Sequence, residues 1–106
     1  MFQPHRYTRT RDLMGEFAGA FGDADRVEVL DIYAASEEPI AGVDAKTLVK
    51  EMRAAGGNGV EYAASVPEGV EALVREAKSG DVILTLGAGS VSQAGGALLE
   101  RLGAKA

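Results

Sequence analysis

Gly80-Asp81-Val82-Ile83-Leu84-Thr85-Leu86-Gly87-Ala88-Gly89-Ser90 is the stretch on which the fold turns. Its middle, residues 82–86, is a nearly continuous apolar run, as a central parallel strand covered on both faces requires. Ser79-Gly80-Asp81 makes a turn before it, and Gly87-Ala88-Gly89 leads into a last helix. Ser90 and Gln93 have capping-box spacing there, and Val91, Ala94, Leu98 and Leu102 form one apolar stripe.

Working backwards, Ser65-Val66-Pro67-Glu68 resembles a capping box with proline in the first turn, and Val70, Leu73, Val74 and Ala77 follow on one face. Residues 60–64 are a short, weaker strand. Gly56-Gly57-Asn58-Gly59 ends a helix that starts after Asp44, with Ala45, Leu48, Val49, Met52 and Ala55 inward. Residues 26–32 are β-branched and read as a strand, and residues 33–43 as a loop. In the first helix Leu13, Met14, Phe17, Ala18 and Phe21 make the stripe, and Thr8 or Thr10 is the expected cap.

The alternation of helix and strand predicts an α/β, Rossmann-like, mostly parallel sheet flanked by helices, joined by right-handed crossovers. Only three strands are evident, and the chain begins at Met1-Phe2-Gln3 where a strand should be ending. The expectation is one domain over residues 1–106, truncated at its N-terminus, with a first strand and helix missing upstream.

The chain has 106 residues, 46% hydrophobic and 25% charged, enough for one core. Cysteine is absent, which excludes disulfides and thiolate metal sites, and a single histidine argues against a zinc site. No stretch is long and apolar enough to span a membrane, and no secretory signal is visible, which fits the cytoplasm. The net charge of -5 is uneven: residues 1–12 carry +2 and the other 94 carry -7. An acidic body with a small basic patch argues against general nucleic-acid binding and suits a small anion.

That patch holds Arg6, Arg9, Arg11 and the lone His5. Guanidinium groups bind carboxylates and phosphates with paired planar hydrogen bonds, and a helix start adds free N–H groups. The bland reading is a solvated basic helix start, but cations there oppose the helix dipole. Arg6 and Arg9 share a face if both are helical, whereas Arg11 pairs locally or faces solvent. His5 reads first as a hydrogen-bonded structural residue and second as a functional one. Gly87, Ala88, Gly89 and Ser90 lie where α/β proteins bind ligands, but the third glycine of a dinucleotide fingerprint and the lysine of a P-loop are absent. A tight turn and a ligand contact therefore both stand. Asp31 ends a strand and is a candidate for orienting an arginine across the edge; Glu37 and Glu38 read as solvated. All three segments follow strands, so they should converge on one sheet edge.

FQPHRYTRTRDL (residues 2–13), DIYAASEEPIAGVDA (31–45) and GDVILTLGAGS (80–90), in this order and spacing, closely resemble the C-terminal domain of the Mur ligase family of peptidoglycan synthesis, in the branch that joins L-alanine to UDP-N-acetylmuramate. The resemblance implies an ATP-dependent, amide-forming ligase whose other domains hold the UDP-sugar, ATP and magnesium. It implies that Arg6 and Arg9 meet a substrate carboxylate or phosphate on domain closure. His5 would adjoin them, and Gly87, Ala88, Gly89 and Ser90 would lie near the amino-acid site. No catalytic residue, metal ligand or ATP site is implied in this chain by itself. Ser36 stands where the family usually has glycine. A stand-alone, non-enzymatic α/β module binding a small anion or a protein partner is the other reading.

Overall fold

The structure is a computed structural model that describes residues 1–57, 59–87 and 89–105, and at 89, 90, 104 and 105 the backbone only. Its elements are β1 Phe2–Gln3, α1 Tyr7–Ala20, β2 Val27–Val29, α2 Ala45–Ala54, β3 Val60–Tyr62, α3 Val66–Glu76, β4 Leu86–Gly87, a 3-10 segment Gly89–Gln93 and α4 Ala94–Lys105. The strands pair in the order β3-β2-β1-β4, and every pairing is parallel. The Rossmann-like expectation holds.

Strand β2 shows how one short segment serves two layers. Side chains alternate across a sheet. Val27 and Val29 join Phe2, Ala45, Leu48, Val49, Met52 and Val60 in one cluster, against which Met14 and Phe17 of α1 and Phe21 at its C-terminal end pack. Leu30 faces the other way, into a cluster with Val70, Leu73, Val74, Val91, Ala94 and Leu98. Helices α1 and α2 therefore cover one face, and α3 and α4 the other. The Phe2 ring meets Phe17 edge-on at 5.2 Å and Phe21 at 5.0 Å, a geometry that favours aromatic pairs.

Local signals placed two helices well. Asp44 caps α2, its carboxylate accepting from the Thr47 N–H at 2.7 Å. At α3 the Ser65 hydroxyl accepts from the Glu68 N–H, and the Glu68 carboxylate takes the Ala64 N–H at 2.8 Å. Gly56 closes α2 with φ of 95°, and the Gly57 N–H reaches back to the Met52 carbonyl at 2.9 Å. Asn58 lies outside the described residues.

Three expectations are corrected. Residues 82–86 do not form a central strand: only Leu86 of the run pairs, in β4 at the sheet edge, and Val82 and Leu84 are 85% and 63% exposed. An apolar run shows that a strand can be covered on both sides, but strand order depends on which neighbours flank it. Strand β1, by contrast, lies between β2 and β4 although it is too short to show a pattern. Helix α1 starts at Tyr7 with Arg6 at its N-cap position, and neither Thr8 nor Thr10 is the cap. Finally, the last α-helix begins at Ala94, after the 3-10 segment, so Ser90 does not begin it.

Candidate functional site

The chain runs β1, β2, β3 in one direction across the sheet, then crosses back to place β4 on the far side of β1. After β1 it turns to α1 on one face; after β4 it turns toward α4 on the other. The loops leaving β1 and β4 thus part from each other at the carboxyl ends of adjacent strands. That crevice is the topological switch point where open parallel sheets bind ligands. The expected convergence on one edge is realised for His5, Arg6 and Gly87, with Asp31 at the end of the neighbouring β2.

The β1 exit is tightly prescribed. Pro4 is buried, and its carbonyl accepts the Tyr33 N–H at 2.8 Å, while the Arg6 N–H donates to the Tyr33 carbonyl at 2.7 Å. His5 is the residue between, bridged in parallel to Tyr33, and its ring stacks on the tyrosine ring at 5.6 Å with 13° between planes. Arg6 then adopts φ 68°, ψ 142°. A non-glycine residue in this sparsely populated region costs of order 1–3 kcal/mol and persists only where its surroundings over-determine it.

Arg6 and Arg9 line one open hollow with His5, Thr8, Asp12 and Leu13. They share it because Arg6 departs from helical geometry, not because both are helical. Arg11, Arg26, Arg53 and Arg101 each pair with a carboxylate: Asp12, Glu28, Glu61 and Glu71. Among the described residues Arg6 and Arg9, like Arg75, form no ion pair within 4 Å, although Glu37 is near enough to feel the Arg6 charge.

The start of α1 does have one. Glu37 accepts from the Thr8 N–H at 3.0 Å and from the Thr8 hydroxyl at 2.6 Å. The Thr8 hydroxyl first, then the Thr8 amide, with smaller help from the Tyr7 amide and the Arg6 charge, hold the Glu37 carboxyl below its ordinary value. The reading of Glu37 as solvated is therefore corrected. The chain's own carboxylate thus offsets the helix dipole there.

Asp31 does not orient an arginine. Its carboxylate takes the Tyr62 hydroxyl at 2.6 Å, and its carbonyl takes the Gln3 side-chain amide at 3.2 Å. The β2–β3 register opposes Val29 to Tyr62, which brings the tyrosine within reach of Asp31. The hydrogen bond to Asp31 pushes the Tyr62 hydroxyl up to about 12. Lys46 lies 5.3 Å from the centre of the same ring.

Gly87 has φ of 138°, and a Cβ there would meet the Gln3 carbonyl oxygen at 2.6 Å and Val91 at 3.1 Å. The tight-turn reading of this glycine thus has a physical basis in the β1–β4 approach. Ala88 lies outside the described residues, and the side chain of Ser90 is not described; Gly89 opens the 3-10 segment. Among the described residues no three His, Cys, Asp or Glu side chains are placed to hold a metal ion. No helix is long and apolar enough to cross a membrane.

Sequence reasoning missed Glu37, Tyr33, Tyr62 and Thr10. Thr10 is fully buried, and its hydroxyl donates to the Arg6 carbonyl at 2.8 Å. Its spacing of four from Arg6 was a usable signal. Glu37 had none, because it reaches α1 from 29 residues away.

Comparison with known proteins finds close relatives along nearly the whole chain. The chain is 60% identical over 102 residues, 96% of its length, to the UDP-N-acetylmuramate–L-alanine ligase of Solibacter usitatus. It is 54% identical over 99% of its length to the protein of that name in Koribacter versatilis, and 56% over 96% to that in Acidobacterium capsulatum. The chain spans 22% of the length of each of these relatives. The family described as "Mur ligase, glutamate ligase domain" matches residues 2–89, from the first strand to the loop after β4, and the chain belongs to that family.

Proposed function

We propose that this chain is the C-terminal domain of an ATP-dependent ligase that joins L-alanine to UDP-N-acetylmuramate in the cytoplasm, for peptidoglycan precursor synthesis. The observation that carries the reading is the pair of guanidinium groups, Arg6 and Arg9, that line one hollow where β1 runs into α1. Identity to ligases of that name along nearly the whole chain supports it.

Amide formation from a carboxylate, ATP and an amine passes through states rich in carboxylate and phosphate charge. Two preorganised guanidinium groups can stabilise that charge without reorganising at the moment of reaction. They cannot move a proton, so this domain's share is binding, orienting and neutralising. His5, held by Tyr33, borders the same hollow. ATP, magnesium and the UDP-sugar would be held mainly by other domains of the ligase. The stand-alone module is the less favoured reading, because the relatives matched across the chain are ligases.

The test is Arg9→Ala in a full-length ligase carrying this domain. Loss of one charge-assisted contact should lower kcat about 10- to 100-fold while the KM for the UDP-sugar changes little. Wild-type kinetics with L-alanine would refute the assignment.

A further inference from the structure

The conformation of Arg6 calls for explanation. Its side chain is exposed, so it adds nothing to the core, and glycine would occupy φ 68°, ψ 142° without strain. A backbone distortion kept at a residue whose side chain is not packed serves the position of that side chain.

Contacts on both sides hold the distortion. On the N-terminal side the Arg6 N–H donates to the Tyr33 carbonyl at 2.7 Å, and the Tyr33 N–H to the Pro4 carbonyl at 2.8 Å. On the C-terminal side the Arg6 carbonyl accepts both the Thr10 N–H at 3.1 Å and the Thr10 hydroxyl at 2.8 Å. The loop that supplies Tyr33 is itself bent sharply, with φ of 49° at Ala35 and 73° at Ser36. That bend lets Glu37 grip the Thr8 amide and hydroxyl, fastening the loop to α1.

We infer that Thr10, Tyr33 and Glu37 are positioning residues that clamp the Arg6 backbone so that its guanidinium faces the hollow it shares with Arg9. The inference rests on the anion-binding role proposed above for the two arginines. Without the clamp, residue 6 relaxes to an ordinary φ, and its side chain leaves the hollow although every charge is still present.

Thr10→Val keeps the shape of the side chain and removes the hydroxyl; Thr10→Ser keeps the hydroxyl. In a full-length ligase carrying this domain, Thr10→Val should lower kcat/KM for the amino acid about 10- to 100-fold, with the UDP-sugar KM unchanged, since a small misplacement of a charge-stabilising group has an effect of that size. Thr10→Ser should recover most of the loss. If Thr10→Val fails to fold, Glu37→Ala, which alters only the surface end of the clamp, should still lower kcat/KM about 10-fold. Arg6→Ala is measured alongside. Wild-type kinetics for Thr10→Val or Glu37→Ala beside a damaged Arg6→Ala overturn the clamp and leave the anion role standing. A silent Arg6→Ala overturns both. Equal losses in Thr10→Val and Thr10→Ser overturn the hydroxyl's part in the clamp.

Discussion

Gly87→Ala should destabilise the protein by about 2–4 kcal/mol, and the structure says where that comes from. At φ of 138° an L-residue is strained, at a cost of about 1–2 kcal/mol. The new Cβ would also stand 2.6 Å from the Gln3 carbonyl oxygen, a backbone atom with no freedom to swing aside. Strand β1 cannot yield, because it is paired on both sides, to Val29 and to Leu86. The edge strand β4 must move instead. The Leu86 N–H to Met1 carbonyl bond at 2.9 Å and its neighbours are weakened, at about 0.5–1.5 kcal/mol each. Urea unfolding followed by circular dichroism reads the sum. With a slope of about 1–1.5 kcal/mol/M for a domain this small, the midpoint should fall by roughly 1.3–4 M. Gly15→Ala is the control: it lies exposed in α1 with nothing within 4 Å of a new Cβ, and should stabilise by about 0.5–1 kcal/mol. A Gly87→Ala midpoint within experimental error of wild type, with Gly15→Ala behaving as expected, would refute the tight β1–β4 crossing on which the switch-point site depends.

The other two predictions concern pH. The Glu37 carboxyl is held below its ordinary value of 4.5, so its grip on Thr8 is fully present above that pH and is lost as pH falls through the lower, folded-state value. The protection of the Thr8 amide, measured against its intrinsic exchange rate, should fall on acidification in the wild type, and Glu37→Gln should remove that fall; the same protection profile in both would contradict the contact. Tyr62 has the opposite sign. Its hydroxyl moves from 10 up to about 12, so its bond to Asp31 stabilises below pH 10 and is lost as pH rises toward 12. The stability difference between wild type and Tyr62→Phe should vanish across that window, and the ultraviolet titration should lose its latest-ionising tyrosine in the variant. A Tyr62 that ionises at its ordinary value would exclude the hydrogen bond.

How much of this was readable from residues alone follows the range of each interaction. Asp44, Ser65 and Glu68 act within four residues, and their helices start where those side chains indicate. The stripes Leu48-Val49-Met52 and Val70-Leu73-Val74 are buried as their spacing requires. Helix α1 begins six residues before its apolar stripe because its cap comes from Glu37, far along the chain. Asp31 pairs with Tyr62, not an arginine, because strand register chose its neighbour.

By itself, then, the sequence determined the alternating elements, the caps of α2 and α3, the buried stripes and the arginine-rich turn, since each depends on periodicity or on contacts a few residues long. Tertiary structure alone decided that β1 is central and β4 lies at the edge, which creates the switch point. It also decided that Arg6 is held at a positive φ beside an unpaired Arg9. Both follow from which distant segments meet: strand order from the chain's return across the sheet, and the Arg6 conformation from Tyr33 and Thr10 closing on it from two sides.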